Sequence, residues 1–526
     1  MSSPGDVQEL IRSARRIREL IWQDPHRPRY HLVPPEGFFN DPNGALFWNG
    51  RYHLFYLARE PIPHPRRPGE ELWVAVWDHV SSRDLVHWIQ HPPAVRPKPD
   101  GSTPMGIYSG GAIKNAPRPT LIYHVPAQGT CIAVAEDGDL IEWRELPQNP
   151  VIPLHREDDE YVVFDPAGWY EQGTYCALIG NKNRRPGYEG DCTSLFTSPD
   201  LISWQYQGPF YRSRREWTLE AEDAACPDFF PIGNRHMLLM HCHRPYGNTT
   251  HYYLGSYGDR RFVPQLHGRM SWFSGQLSAP ESLIDDRGRN IMFGWMADFR
   301  PGAAALFGYD RAAKARPEQR NLLAWASVVS LPRVLSLAAD GTLAIAPVPE
   351  LEALRLNPRR KTDMHVAAGE EVPLEGISGN VIELFLRIDP GAATEVGVKV
   401  LCSPDGSEQT AISCRPGERT LQVDFRRSSL ADDLQYRYYE SDREEAFPTA
   451  GMVQAAPFRL AAGEALELRV FIDRSVIEVF ANGRQSLTQR VYPTRADSTG
   501  VRLFAAGGAA RVSVVEAWDM EPVAPW

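Results

Sequence analysis

The sequence lacks the features that mark membrane proteins and nucleic-acid-binding proteins. It contains no apolar run long enough to span a bilayer and no long run of lysine and arginine, and its net charge is −10 over 526 residues. The N-terminal stretch MSSPGDVQELIRSARRIRELIWQD has no apolar signal-peptide core. We therefore expect no nucleic-acid or membrane partner and a cytoplasmic location, or an extracellular one if a leader precedes this chain.

Cysteine is also scarce, and its spacing excludes common cysteine-based sites. The seven cysteines form no Cys-x-x-Cys pair and no Cys/His cluster at zinc spacing. The sequence therefore predicts mostly buried thiols, no structural zinc and no disulfide framework. We expect neither a metal nor a cofactor.

A repeat within a pattern of short β-strands is the main feature that is present. From residue 30 onward, runs rich in Val, Ile, Phe, Tyr and Trp are bounded by Gly, Pro, Asn and Asp, which is typical of β-strands. The motif Asp-Leu-(Val/Ile)-x-Trp occurs at 83–88, 138–143 and 199–204, and each copy follows a polar segment and a β-hairpin. Five comparable units predict a five-bladed β-propeller.

The residue pattern of the sequence changes after about residue 346, where the propeller-like repeat ends. The stretch APVPELEALRLNPRRKTD reads as a connector, and the alternating strands after it predict a β-sandwich. The first residues have apolar side chains at helical spacing, which predicts a short amphipathic helix packed on the body. The predicted fold is all-β, with a helical extension (1–29), a five-bladed propeller (30–345), and a linker with a C-terminal β-sandwich (346–526).

Acidic residues lie in the polar segments, here called heads, that begin the blades. Because the first strand of each blade lines the central channel, the heads should converge at one end of it. Two heads contain Asp-Pro, at Asp41 in FNDPNG and at Asp165 in VFDPAG, and a third reads EDAACPD. An isolated Asp-Pro often only begins a turn. Several carboxylates around one pocket are what cleavage of a glycosidic bond requires, one ionised and one protonated.

These motifs resemble those of a known family. FNDPNG, the Cys-Pro-Asp of the fourth head, SAPES before GRNIMFGWM, WASVVSLPR and VFIDRSVIEVFANG…RVYP together resemble glycoside hydrolase family 32, the β-fructosidase family. The resemblance covers nearly the whole chain from about residue 30. It implies a propeller followed by a β-sandwich, and a retaining mechanism on fructofuranosides through a fructosyl–enzyme intermediate.

The resemblance also implies roles for individual residues. Asp41 matches the nucleophile that attacks C2 of fructose, and Asp165 matches the carboxylate that holds fructose hydroxyls and stabilises the transition state. Substrate contacts are implied or expected at Asn40, Asn43, Ser109, Gly110, Asp223 and Trp295.

Two positions depart from the family pattern. The arginine expected before the second aspartate is Phe164, which cannot donate hydrogen bonds. The glutamate expected before Cys-Pro is Ala225, and loss of a general acid typically costs about 10²- to 10⁴-fold in rate. We expect Glu222 to supply the proton through a bulge in the strand, with Asp223 as the second candidate. A solvated acidic loop is the alternative for this stretch.

Three other functions are compatible with the sequence. A sugar hydroxyl in place of water as the acceptor would make the enzyme a fructosyltransferase. A non-catalytic carbohydrate-binding propeller is favoured by Ala225 and Phe164, and a related arabinofuranosidase is disfavoured by the sandwich signature. The expected partner is a fructoside or oligosaccharide substrate, and the expected assembly is a monomer or homodimer.

Overall fold

The structure is a computed structural model that describes residues 4–63, 69, 71–98, 103, 106–156, 159–180, 192–212, 216–217, 223–243, 249–272, 274–300, 303, 325–434, 436 and 452–523. Within those ranges the first part of the chain forms, in order, α1 (Pro4–Gln23), β1 (Gly37–Phe38), β2 (Pro42–Trp48), β3 (Arg51–Pro63), β4 (Glu71–Ser82), β5 (Trp88–Val95), β6 (Gly110–Lys114), β7 (Thr120–Val125), β8 (Gly129–Ala135), β9 (Trp143–Glu145), β10 (Ile152–Pro153), β11 (Pro166–Glu171), β12 (Thr174–Gly180), β13 (Thr193–Ser198), β14 (Gln205–Tyr211), β15 (Asp223–Ile232), β16 (Arg235–His243), β17 (Thr249–Gly258), β18 (Arg261–Arg269), β19 (Ser278–Ile284), β20 (Asn290–Met296), β21 (Trp325–Ala326), β22 (Val328–Val329), β23 (Arg333–Leu337) and β24 (Leu343–Pro347).

These strands form a propeller whose described part has five blades. Blade I is β2–β5, blade II is β6–β10, blade III is β11–β14, blade IV is β15–β18, and blade V contains β19, β20, β22, β23 and β24. The innermost strands β2, β6, β11, β15 and β19 each pack against the next, and β19 packs against β2. This closes the ring and confirms the predicted fold class. A short parallel pair, β1 with β21, joins the two ends of the propeller sequence.

Local sequence explains the turns between strands. Asn49 and Gly50 both have positive φ in the hairpin between β2 and β3, as an Asn-Gly turn requires. The Asp-Leu-x-x-Trp repeat forms a turn in which the leucine has positive φ and its carbonyl accepts the indole N–H of the tryptophan three residues later. The three copies are Leu85–Trp88 at 3.2 Å, Leu140–Trp143 at 2.9 Å and Leu201–Trp204 at 2.9 Å.

The C-terminal part is a β-sandwich. Its strands are β25 (Arg355–Val366), β26 (Glu371–Ser378), β27 (Val381–Asp389), β28 (Glu395–Cys402), β29 (Thr410–Arg415), β30 (Thr420–Asp424), β31 (Val453–Pro457), β32 (Leu466–Asp473), β33 (Val476–Ala481), β34 (Gln485–Arg490), β35 (Gly500–Ala506) and β36 (Ala510–Met520). In the described part of this region they form two sheets of six strands, ordered β25-β36-β27-β32-β33-β34 and β26-β35-β28-β29-β30-β31. Aliphatic side chains of the two sheets form a common core.

One expectation about the flanking segments needs correction. The predicted connector is not a linker, because Pro349–Leu354 forms a 3-10 helix and Arg355–Val366 pairs with β36 as an edge strand. In α1, Ile21 is buried against the body, whereas Ile17 and Leu20 are 46% and 59% exposed.

Two further observations concern the chemistry of the chain. The seven cysteines, all within the described ranges, form no disulfide. Among the helices that the structure describes, none has the length and apolarity needed to cross a bilayer.

Candidate active site

Asp41 lies at the channel mouth, immediately before β2. Its backbone carbonyl accepts the N–H of Leu57 at 3.0 Å and the side-chain N–H of Asn43 at 2.8 Å. The backbone N–H of Asn40 donates to the Leu57 carbonyl at 2.9 Å, and the Asn40 side chain is 9% exposed. Pro42 further restricts Asp41 to extended backbone. Hydrogen bonds within blade I therefore fix the backbone of Asp41.

The head of blade II fixes the side chain of Asp41. Ser109 Oγ donates to Asp41 Oδ2 at 2.5 Å, and the backbone N–H of Gly110 donates to Asn43 Oδ1 at 3.0 Å. A Cβ at residue 110 would lie 2.1 Å from the carbonyl oxygen of Ile122, so only glycine allows this approach. Four residues predicted from the sequence, Asp41, Asn43, Ser109 and Gly110, thus form one hydrogen-bonded group.

A second carboxylate reaches the same point from blade III. Asp165 is 4% exposed, and its backbone carbonyl accepts the N–H of Gly180 at 3.0 Å. Cys226 Sγ lies 3.5 Å from Asp165 Oδ2 and 3.8 Å from Asp41 Oδ2. The two carboxylate oxygens are therefore no farther apart than the sum of these distances, and three heads converge on one thiol.

A bulge in the fourth head gives Cys226 this position. The β15–β16 register shifts between Ala225 and Asp228, and Cys226 has φ +42°. Burial, together with the nearby Asp165 and Asp41 carboxylates, raises the pKa of the Cys226 thiol well above its ordinary value. The thiol therefore keeps its proton at neutral pH and is a hydrogen-bond donor between the two carboxylates.

A buried polar cluster joins the strands that line the channel. Asp228 forms an ion pair with Lys114, and it accepts hydrogen bonds from Ser282 Oγ at 2.5 Å and from the Ser282 N–H at 3.0 Å. Glu281 Oε1 accepts the N–H of Ala45 at 2.9 Å. Burial, with the adjacent Asp228 carboxylate, raises the pKa of Glu281 well above its ordinary value. This cluster connects β2, β6, β15 and β19, and so stabilises the ring that carries the heads.

Sequence reasoning missed Lys114 and Glu281 as parts of this cluster. Lys114 ends the first strand of blade II, and Glu281 lies in the SAPES motif of blade V. Both residues lie on the first strand of a blade, and because such strands line the channel, this position could have predicted that they contribute to the cluster.

The two departures from the family pattern are both apolar at this site. The ring of Phe164 lies against the imidazole of His124, with centroids 5.4 Å apart. Ala225 is 1% exposed and lies opposite His241 in the β15–β16 ladder. Neither Phe164 nor Ala225 can donate or accept a side-chain hydrogen bond. Hydroxyl binding and proton transfer must therefore come from other residues.

The remaining predicted residues differ in how far the structure describes them. Glu222 lies outside the described residues, so its role as acid stays a prediction. Asp223 begins β15 opposite His243, and its side chain is likewise outside the described part. Trp295 is 5% exposed, and its indole N–H donates to the Phe39 carbonyl at 3.1 Å, which fixes the segment that leads to Asp41.

The site brings two carboxylates, Asp41 and Asp165, together at one thiol. Ser109 Oγ and the Cys226 thiol both lie at Asp41 Oδ2, where each can donate a hydrogen bond to that carboxylate. Within the described ranges, no group of three or more His, Cys, Asp or Glu side chains is arranged to hold a metal ion. The geometry suits acid–base and nucleophilic chemistry at a sugar centre.

Comparison with known proteins agrees with this fold. The model of the glycosyl hydrolases family 32 N-terminal domain matches residues 31–347, and that of the C-terminal domain matches residues 350–519. Sucrose-6-phosphate hydrolase of Escherichia coli is 27% identical over 523 residues, covering 94% of each chain. Levanase of Bacillus subtilis is 28% identical, covering 95% of this chain and 71% of that protein.

A solved structure gives the same architecture. Fructan 1-exohydrolase IIa from Cichorium intybus has a TM-score of 0.75 at 24% identity, and the match covers 95% of this chain and 98% of that one. At 24% identity, this similarity is evidence for a shared fold alone. The two family models together match most of the sequence, and the chain therefore belongs to the glycosyl hydrolases of family 32.

Proposed function

We propose that this enzyme hydrolyses β-D-fructofuranosides, such as sucrose, fructo-oligosaccharides or fructan, through a covalent fructosyl–enzyme intermediate. The observation that carries the proposal is the convergence of Asp41 and Asp165 on Cys226, with Ser109 Oγ bonded to Asp41. The names of the curated relatives, sucrose-6-phosphate hydrolase and levanase, support this class of substrate.

In the proposed reaction, an ionised Asp41 oxygen attacks C2 of the fructosyl group while the bond from C2 to the leaving oxygen breaks. Glu222 donates a proton to that oxygen, and the aglycone leaves as an alcohol. Asp165 stabilises the oxocarbenium-like transition state and holds ring hydroxyls. Glu222 then removes a proton from water, which attacks C2 and releases fructose with Asp41 regenerated. Two inversions at C2 give net retention.

The remaining expectations are part of the same proposal. We propose that residues 30–345 carry the reaction and that 1–29 and 346–526 support them. The residues proposed to shape the sugar site are Asn40, Asn43, Ser109, Gly110, Asp223 and Trp295. A cytoplasmic location is supported by seven cysteines without disulfides, because disulfides are rare in reducing compartments.

The test is product formation by the full-length enzyme. Wild type and Asp41→Asn are incubated with sucrose, sucrose 6-phosphate, inulin and levan, and released fructose and longer oligosaccharides are separated and quantified. We expect wild type to release fructose from at least one substrate and Asp41→Asn to release none. Transfer products in excess of fructose would identify a fructosyltransferase. Sugar binding without any bond cleavage by wild type would identify a non-catalytic propeller and contradict the proposal.

A further inference from the structure

His124 lies between the heads of blades II and III, of which the first bonds to Asp41 and the second carries Asp165. Its backbone N–H donates at 3.0 Å to the carbonyl of Ser109, the residue whose hydroxyl bonds to Asp41. On its other side, its imidazole packs against Phe164, at 5.4 Å between ring centroids, and Phe164 directly precedes Asp165. No motif in the sequence marks His124, because its importance comes from the contact between blades II and III.

The imidazole is buried with unused hydrogen-bonding capacity. His124 is 4% exposed, and in the described part of the chain its Nδ1 is buried with no hydrogen-bond partner. By contrast, the buried His31 has both ring nitrogens bonded, to Asp473 and Glu478. Buried polar atoms without partners are rare in folded proteins and call for an explanation.

The charge state of His124 suits it to bind a neutral sugar. Burial, with a smaller effect of His155, lowers the pKa of His124 to about 4. At neutral pH the imidazole is therefore uncharged and offers one N–H donor and one acceptor. A hydroxyl group can use either, since it both donates and accepts.

The sugar site lacks a hydrogen-bond donor beside Asp165, and His124 could supply one. Phe164 occupies the position where the family pattern has an arginine, and its ring has no hydrogen-bonding atom. A fructosyl group held by Asp41 and Asp165 would have hydroxyls close to this position, and buried hydroxyls without partners weaken binding. His124 is a polar side chain in contact with the Phe164 ring.

We propose that the imidazole of His124 binds a hydroxyl of the fructosyl ring, and so replaces the contact that Phe164 cannot make. The inference rests on the proposed function, because it places His124 in the same sugar site. It assigns to this enzyme a substrate-binding residue outside the family's motifs.

The test compares His124→Leu with wild type on the substrate that wild type cleaves. We expect KM and the inhibition constant of free fructose to rise about three- to tenfold, the range of one hydrogen bond between neutral groups. The melting temperature should not fall, because the change removes a buried nitrogen that has no partner. A purely structural histidine would behave in the opposite way, with a lower melting temperature and unchanged fructose inhibition.

Two further variants make the test selective. His124→Gln keeps a donor and an acceptor, and should bind fructose more tightly than His124→Leu. Phe164→Arg in the His124→Leu background should recover part of the lost affinity. The matched control is His236→Leu, in blade IV at the end of the β15–β16 hairpin away from the mouth, where the His236 ring stacks on Phe229 at 5.3 Å. It should leave KM and fructose inhibition unchanged.

The outcomes separate this inference from the proposed function. An active wild type whose KM and fructose inhibition are unchanged by His124→Leu overturns the role of His124 and leaves the proposed function intact. A wild type that neither cleaves fructosides nor binds fructose overturns both. A wild type that binds fructose without cleavage, and loses affinity in His124→Leu, supports the role of His124 while the proposed reaction fails.

Discussion

The two sides of the channel mouth differ in how closely they keep the family pattern. On the side of blades I and II, Asp41 is bonded by Ser109 and Asn43, and Asn43 is bonded by Gly110. On the side of blades III and IV, the expected arginine and glutamate are Phe164 and Ala225. The groups that hold the proposed nucleophile are thus retained, while groups expected to meet hydroxyls and the leaving oxygen have changed.

This contrast indicates which parts of a glycosidase site can be relocated. The nucleophile must approach one carbon atom along a fixed line, so its backbone and side-chain bonds leave little freedom. A proton or a hydroxyl contact can come from several directions. The bulge at Cys226, where the strand register shifts between Ala225 and Asp228, is a place where residues upstream can be re-aimed.

The largest expected effect comes from the retained side. Asp41→Asn removes the proposed nucleophile but keeps an oxygen that can accept from Ser109, so the fold should be unchanged. We expect kcat/KM for fructose release to fall by about four orders of magnitude or more. Steady-state kinetics and a thermal unfolding curve measure both quantities. Activity within tenfold of wild type would mean that another group attacks C2.

The next effect comes from the altered side. Glu222→Gln should reduce hydrolysis of sucrose by about 10²- to 10⁴-fold, because the leaving oxygen no longer receives a proton. Formation of the intermediate from β-fructofuranosyl fluoride should be affected far less, since fluoride leaves without protonation. Burst-phase fluoride release measures this step separately.

Two further variants, compared with Glu222→Gln, identify the residue that acts as the general acid. Adding Ala225→Glu to it restores a carboxyl at the family position and should recover part of the lost sucrose activity. If Asp223→Asn lowers sucrose hydrolysis and Glu222→Gln does not, Asp223 is the acid. If neither variant changes sucrose hydrolysis, the acid lies elsewhere.

A smaller effect on activity is expected at Cys226, which lies between Asp41 on one side of the mouth and Asp165 on the other. Cys226→Ala removes the thiol donor between Asp41 and Asp165, so an ionised carboxylate loses a favourable contact. The acid limb of the pH–rate profile should move to higher pH, because a carboxylate with fewer donors takes up a proton more readily. We expect kcat to fall about tenfold, as for loss of one hydrogen bond to a charged group.

The control for Cys226→Ala is Cys402→Ala, in the sandwich, which should leave the pH–rate profile unchanged. An unshifted acid limb in Cys226→Ala, with normal stability, would show that the thiol does not contribute to the charge state of the pair.

The smallest change in activity is expected for Trp295, which contacts the segment that leads to Asp41. Trp295→Phe removes the indole N–H that donates to the Phe39 carbonyl, two residues before Asp41. The loss should cost about 1–3 kcal/mol of stability, because a buried acceptor loses its donor. Chemical denaturation measures the cost. An unchanged free energy of unfolding would contradict this role of the hydrogen bond, and a fall in kcat/KM larger than that of Cys226→Ala would show that the proposed contribution of Trp295 to the sugar site outweighs its effect on stability.

The sequence predicted those parts of the fold that depend on local signals. Asn49-Gly50 and the Asp-Leu-x-x-Trp turns follow from backbone preferences of single residues, and the repeat gave the blade number. Asp41, Asn43, Ser109 and Gly110 meet as expected because first strands surround one channel. The sequence could not give contacts between distant strands whose residues carry no motif.

Three cases show this limit. The ion pair of Lys114 and Asp228 joins residues 114 positions apart, and the contact of His124 with Phe164 joins two blades. Residues 355–363, rich in Arg and Lys, read as part of a connector, but they lie in the edge strand β25, and an exposed edge strand tolerates charged side chains.

The most direct test of the retained nucleophile is to trap the covalent intermediate on Asp41. Wild type is mixed with β-fructofuranosyl fluoride, quenched with acid during steady turnover, digested and examined by mass spectrometry. The account predicts that the peptide containing Asp41 gains the mass of one fructosyl residue and that Asp41→Asn gains none. Turnover without an adduct and with inverted configuration at C2, or an adduct on another carboxylate, would contradict it.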